Sequence, residues 1–533
     1  MRLGWKASGY HPPGRRSKPR RCRQGQRSKL WPMRSSIPHE QRRVQEQPRT
    51  GGTMAPWPEH CFKAYDIRGL ANGDGTGELT PAFAERLGRA LATYLGAKRL
   101  AVGRDIRTSS PALADALMHG MQAAGADVVD LDVCTTGALY HACWTMEVDG
   151  GVMVTASHLP MPTHNGFKMC RGNLPLAGDE IQALREVFLQ GDFNTGEGKR
   201  THGPHMPAYL AAITESVGPL GRPVHVAVDA GNAVPGPFLV DVLKAIGAKV
   251  EAVHCTWDAS EPNHGADPTR PYNMTDLAAL VTERGCEFGL GSDGDGDRIG
   301  AVTETGAFVY PDRLVALIVG DVLADLDDDA TENERTVIYD VKCSMNVESA
   351  VLAAGGTPIM ARTGHSFMKR ALAERPGCRL AAEMSGHIFP ADRGWYGFDC
   401  SLYNAARIVE FWSRQASEGP TFGQALDAVA PNLPTTGECK VPCDEGRKEP
   451  VVAGITAAFA DLPHSTVDGV RVRFEDEHGV QQGWYLARRS NTESVLVMRA
   501  EARTEAMLAH IRQHIEDRVA PLIDVGGFLD AFA

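Results

Sequence analysis

Three related α/β domains followed by a C-terminal α+β domain is the architecture this sequence predicts, and three observations predict it. One pattern recurs three times: an apolar, β-rich run ending in a polar loop, an amphipathic helix, then a glycine and a small residue opening a second apolar run. After about residue 428 that pattern gives way to short alternating runs and one terminal helix. A chain of 533 residues is also too long for a single hydrophobic core.

Residues 1–53 come first, with fourteen Lys/Arg against two Glu and neither helical nor strand periodicity. They offer too little apolar surface to fold alone, so a disordered basic tail is expected. Its prolines spoil the amphipathic helix of a targeting peptide. Met54 stands just before the first organised segment, as it would if the start codon were assigned too far upstream. Deleting 1–53 is therefore expected to leave turnover and melting temperature close to those of the full chain, which calorimetry of the two forms checks.

Domain 1 is expected over 54–203. Its first run, Leu100 to Asp105, pairs with GADVVDL at 125–131, and helices are expected over 83–95 and 111–124. Domain 2, over 204–307, repeats the pattern with Val224 to Asp229, a helix over 237–246 and GAKVEAV at 247–253. Domain 3, over 308–427, has Val337 to Asp340, a helix over 346–354 and GGTPIMA at 355–361. Each time the polar residues fall at the carboxyl end of the strand, where open α/β sheets place their ligand sites. Domain 4, over 428–533, is read from VDGVRVRFED, GWYLARRS and SVLVMRAEA followed by a helix over 503–518.

Outside the tail the chain carries 41 basic and 64 acidic side chains. An acidic body disfavours a nucleic-acid binder, which needs a basic surface, and no nucleic-acid partner is expected; any phosphate chemistry requires a local basic pocket. No apolar run is long enough to span a bilayer, and no membrane association is expected. Twelve cysteines lie scattered without a CxxC pair, which points to a reducing, cytoplasmic compartment.

The strongest local signal is Gly291-Ser-Asp293-Gly-Asp295-Gly-Asp297-Arg298. Carboxylates at alternate positions of an extended loop can point one way, and oxygen-only ligands select a hard cation, Mg²⁺ or Ca²⁺. Asp293, Asp295, Asp297 and Glu304 also fit an EF-hand's first, third, fifth and twelfth positions. That motif needs glycine where Arg298 stands, and helices where the flanks read as strands. The second signal is Gly151 to Pro160, a buried strand running into Thr155-Ala-Ser157-His158, with a serine at the tip of the loop. A serine hydroxyl carries phosphate when a metal and positive charges steady the transferring group, although loop serines more often only cap or face solvent.

Taken with Phe62-Lys-Ala-Tyr65-Asp-Ile-Arg68-Gly69, Asn165-Gly-Phe-Lys168, Asp340-Val-Lys342, Thr363-Gly-His365-Ser366, Glu383-Met-Ser385-Gly-His387 and Arg488-Arg-Ser490-Asn491-Thr492, these strings resemble the α-D-phosphohexomutase superfamily in its bacterial phosphomannomutase/phosphoglucomutase branch. The resemblance covers about 62–500, and the marks occur in family order. It implies four domains with mixed sheets around a central cleft, each giving one loop to it. It also implies interconversion of mannose or glucose 1- and 6-phosphates through a phosphoserine and a hexose 1,6-bisphosphate intermediate. Ser157 is then the phosphoserine, and Asp293, Asp295 and Asp297 hold Mg²⁺ with it.

By the same resemblance Arg298, Lys168, Arg68 and His158 offset the negative charge, and Lys168, His158 and Arg68, in that order, are candidates for moving protons. Arg488, Ser490, Asn491 and Thr492 look like the clamp on the phosphate that is not reacting, though they would equally suit a hairpin turn. Glu383 and Ser385 look like the readers of O3 and O4, with His387, Lys342, His365 and Tyr65 lining the same cleft; Lys342 and His365 also suit capping positions. One departure stands out: Leu159 replaces an asparagine, removing side-chain hydrogen bonds that would help hold the serine loop. Phosphoglucosamine mutase and a non-catalytic sugar-phosphate-binding homologue are the alternatives. Sugar phosphates are the expected partners, and a monomer or weak dimer is the expected state.

Overall fold

The computed structural model describes residues 57–324, 326–327, 329–490 and 493–532. The tail at 1–53 and Asn491 and Thr492, both expected in the phosphate clamp, lie outside the described residues.

Each of the three recurrent patterns folds into a mixed sheet of the same design. In the first, Arg99–Arg104 runs parallel to Asp127–Val133 on one side and to Gly150–Val154 on the other, and Gly150–Val154 turns back antiparallel into His164–Arg171. In the second, His225–Asp229 lies between Lys249–Val253 and Phe288–Ser292, both parallel, and Phe288–Ser292 returns as Ile299–Thr303. In the third, Thr336–Asp340 lies between Thr357–Ala361 and Leu380–Ala382, and the latter returns as Ile388–Pro390. The sheets share a topology although their flanking strands differ.

The helices that join the first two strands end alike. Ser110–Ala123, Gly236–Ala245 and Met345–Ala353 are each followed two residues later by a glycine, Gly125, Gly247 and Gly355, with φ of 94°, 104° and 76°. A side chain is strained at such an angle, so glycine lets the chain leave the helix and enter the next strand at once. The helices bury their apolar stripe on the sheet, and one continuous core, including Leu131, Val228 and Tyr339, runs through all three sheets.

The C-terminal domain has its own core around Ile455, Tyr485 and Ile511. Its five strands are all antiparallel, in the order Cys439–Pro442, Val495–Ala502, Gln481–Arg489, Val470–Glu475, His464–Ser465. Besides the terminal helix Glu505–Arg518 it contains Glu445–Ala458, which the sequence reading does not anticipate. Pro450 stands inside that helix, and its buried apolar residues, Val451, Val452 and Ile455, all follow the proline. The first turn therefore carries no amphipathic signal, and proline argues against a helix interior. Among the described residues no helix is long and apolar enough to cross a membrane, and the cysteines are free thiols.

Candidate active site

Three of the loops singled out by sequence occupy one topological position. The serine loop joins Gly150–Val154 to His164–Arg171, the aspartate loop joins Phe288–Ser292 to Ile299–Thr303, and Glu383 to His387 joins Leu380–Ala382 to Ile388–Pro390. Each follows the third strand of its repeat. All three sheets thus present the same end to one place.

The serine and the carboxylates meet there. Ser157, 1 % exposed, donates its hydroxyl to Asp293 Oδ2 at 2.7 Å and lies 3.4 Å from His158 Nδ1. Its φ of 54° lies in the left-handed region, which throws the side chain out of the line of the strand. Gly294 permits the close approach: a Cβ there would stand 2.2 Å from the Ser157 carbonyl oxygen. Asp293 organises its own loop, Oδ1 accepting from the backbone N–H of Gly296, Asp297 and Arg298 at 3.0–3.1 Å.

Lys168 Nζ donates to Asp295 Oδ2 at 2.6 Å and also to Asp297, and Thr136 donates its hydroxyl to Asp295 Oδ2 at 2.6 Å. Burial, Asp297 and Asp295 push the Asp293 carboxyl well above its usual range. Burial also works against an ionised Asp297, but Lys168 and His387 outweigh it and hold it at about 2. Three fully buried carboxylates thus crowd one another beside Lys168. Asp295 Oδ1 and Asp297 Oδ1 are buried without a hydrogen-bond partner, and the ligand atoms of the triad lie within 4.8 Å of one another. This donor set fits a hard divalent cation.

The serine loop is held by a residue the sequence reading does not single out. Arg107, 0 % exposed, spends all five guanidinium donors: Nε on Asp105 Oδ2 at 2.8 Å, Nη1 on the carbonyls of Pro160 and His164, Nη2 on those of Ser157 and Leu159. The loop's shape is fixed through its backbone, so it does not rest on a side chain at position 159. Leu159 lines the cleft instead. Arg107→Met takes the guanidinium donors away from Asp105 Oδ2 and four carbonyls and is expected to cost about 3–5 kcal/mol of stability, read by urea denaturation.

The cleft has a volume of about 740 Å³, and Tyr65, Arg68, His158, Arg298, Lys342, His365, Glu383, Ser385, His387, Arg488 and Ser490 all line it. Ser157, Lys168 and the three aspartates lie behind that wall, buried. Seven Lys/Arg against five Asp/Glu line the cavity, so an acidic protein turns a basic face inward. Arg488 donates Nε to Asp468 at 2.8 Å while its Nη2 is buried without a partner. It stands next to the end of the strand Gln481–Arg489, which pairs antiparallel with Val495–Ala502. Lys342 donates to Glu438 Oε2 at 2.9 Å and holds that carboxylate at about 2 against burial. Glu383 accepts from the Gly364 N–H and, at 3.4 Å, from Ser385 Oγ. His365 opens the helix His365–Ala373, but the N-cap there is Gly364 and makes no side-chain bond.

Beyond Arg107, the sequence reading misses Glu438 and a buried group behind the cleft formed by Tyr140, Lys369 and Asp399. Arg107 carried a faint signal, two residues beyond an aspartate at a strand end. The others carried none, because their partners come from distant segments.

Four models of one family match in sequence order: "Phosphoglucomutase/phosphomannomutase, alpha/beta/alpha domain I" over 59–195, domain II over 207–306, domain III over 310–430 and the C-terminal domain over 438–518. The chain is 37 % identical over 460 residues to the phosphomannomutase/phosphoglucomutase of Pseudomonas aeruginosa, covering 85 % of this chain and 94 % of that one. It is 38 % identical over 472 residues to the phosphoglucomutase of Neisseria gonorrhoeae, covering 87 % and 97 %. A crystal structure of a phosphoglucomutase/phosphomannomutase family protein from Burkholderia thailandensis superposes with a TM-score of 0.78 at 36 % identity, over 87 % of this chain and 98 % of that one.

Proposed function

Because this chain belongs to the phosphoglucomutase/phosphomannomutase family, we propose that it interconverts hexose 1-phosphates and hexose 6-phosphates through phosphorylated Ser157 and a hexose 1,6-bisphosphate. The observation that carries this reading is the contact of the Ser157 hydroxyl, 2.7 Å, with one of three clustered buried carboxylates behind the wall of a basic cleft.

In the forward half-cycle the free hydroxyl of the bound sugar monophosphate attacks phospho-Ser157. The bond from phosphorus to Ser157 Oγ breaks, a bond to the sugar oxygen forms, and the hydroxyl proton leaves. After the bisphosphate reverses end for end, Ser157 Oγ takes the other phosphoryl group and the sugar oxygen it leaves gains a proton. Asp293, Asp295, Asp297 and the serine phosphate would hold Mg²⁺, whose charge offsets that of the phosphoryl oxygens. Arg68, Arg298 and Lys168 supply further positive charge, and Arg488 with Ser490 grips the phosphate that is not reacting.

For proton transfer we order His158 ahead of Lys168, the reverse of the sequence-based order. Burial works against a charged Lys168, but Asp295 and Asp297 more than compensate and hold it as an ammonium. Burial, Arg298 and Arg68 hold His158 neutral, as a proton acceptor must be. A coupled assay for glucose 6-phosphate from glucose 1-phosphate, with Mg²⁺ and with chelator, tests the reading; no Mg²⁺-dependent product would overturn it.

Mannose and glucose phosphates are expected to be used with comparable efficiency. The sugars differ at C2, whereas Glu383 and Ser385 are assigned to O3 and O4, and a substrate that binds in two opposed orientations leaves little room for a tight fit at C2. Glu383→Ala is expected to penalise both by about 1–3 kcal/mol in kcat/KM. A preference beyond about a hundredfold, ~2.7 kcal/mol, would show that something in the cleft reads C2.

A further inference from the structure

Behind the cleft wall Lys369 is buried with three acceptors for its three ammonium protons. Nζ lies 2.6 Å from Asp399 Oδ1, 3.1 Å from the Tyr140 hydroxyl and 3.0 Å from His365 Nδ1. Lys369 and His365 are four residues apart on the helix His365–Ala373, so both stand on one face of it. Asp399 is itself 0 % exposed; the ammonium faces its Oδ1, and His387 Nδ1 stands 2.8 Å from its Oδ2.

An ammonium has protons to give and no lone pair to receive one. At 3.0 Å from it, His365 Nδ1 can only be the acceptor, so that nitrogen carries no proton. The ring is 4 % exposed, and burial together with Lys369 keeps it from charging. A neutral ring with a bare Nδ1 must carry its single proton on Nε2. His365 lines the cleft whereas Lys369 does not, and Nε2 is a buried atom with no hydrogen-bond partner. A donor fixed on one side by Lys369 is thus left unpaired on the other.

We propose that Lys369, supported by Asp399 and Tyr140, is a positioning residue that locks His365 in its Nε2–H tautomer, so that this ring meets the bound sugar phosphate as a donor to one of its oxygens. The last clause rests on the proposed mutase function; the tautomer does not. Every oxygen of a phosphate dianion and every sugar hydroxyl can accept, so a fixed donor serves the bisphosphate in both orientations. A ring free to exchange tautomers would meet a phosphate oxygen with a lone pair part of the time.

The test uses the full chain with ¹⁵N-labelled histidine, His365 being assigned by its loss in His365→Gln. Long-range nitrogen–proton spectra of the ligand-free protein are expected to show the His365 proton on Nε2. In Lys369→Met the proton is expected to redistribute toward Nδ1 and KM for glucose 1-phosphate to rise about tenfold, with a smaller change in kcat. Lys369→Gln keeps an N–H donor within reach and is expected to retain the tautomer and most of the affinity. A proton on Nδ1 in the wild type, or a folded Lys369→Met with tautomer and KM unchanged, would overturn the proposal. Should Lys369→Met fail to fold, the wild-type spectrum and Lys369→Gln decide. Absence of mutase turnover altogether would overturn the functional reading and leave the tautomer to be judged by the spectrum.

Discussion

Ser157→Ala is expected to lower turnover by at least about a thousandfold, because the atom that carries the phosphoryl group through both half-cycles is gone. Intact-mass measurement should show one phosphate on the wild type and none on the variant. A companion substitution separates chemistry from folding. Ser157 holds φ at 54°, a conformation that costs an ordinary residue about 1–2 kcal/mol and glycine almost nothing. Both variants lose the hydrogen bond to Asp293, but only glycine escapes the strain, so Ser157→Gly is expected to be as inactive as Ser157→Ala yet more stable than it in thermal unfolding. Near-normal turnover in either variant would sink the assignment of the phosphoryl carrier.

Asp295→Asn is expected to cost at least about a hundredfold in turnover and to weaken Mg²⁺ binding in calorimetry, since a ligand charge is lost from a hard-cation site. Stability of the metal-free protein should change far less. Asp293, Asp295 and Asp297 are each 0 % exposed and crowd one another. Removing one negative charge relieves that repulsion but weakens the ion pair with Lys168, which Asp297 still holds, so the melting temperature in chelator should stay close to that of the wild type. Turnover undiminished in EDTA would instead rule out a metal role for the triad.

What could be read in advance was local. Gly125, Gly247 and Gly355 each mark a helix end within a few residues of the run they follow, so the repeat shows in the sequence. Two of the third strands show as well, Gly150–Val154 as a buried apolar run and Phe288–Ser292 as the flank of the aspartate loop, but Leu380–Ala382, with three residues, is too short for a strand pattern to register. The Pro450 helix was hidden by its own proline. In the site, Ser157 and the aspartates could be named because each sits in a compact string. Their meeting across 136 residues could not be seen from either string. Arg107 acts 50 residues away, and Lys369 reaches Tyr140 across 229. Such roles come into being only when the chain is folded.

Arg107 grips the serine loop by carbonyl oxygens, which every residue type possesses. The constraint it imposes falls on spacing and leaves composition free: carbonyls at 157, 159, 160 and 164 must reach one flat guanidinium together. Exchanging the side chain at 159 leaves all four in place, which is why an apolar residue there is compatible with an intact loop. Inserting or deleting a single residue between 157 and 164 would put them out of step with the guanidinium. Variation in this loop among natural or engineered forms should therefore run through its lettering and spare its length.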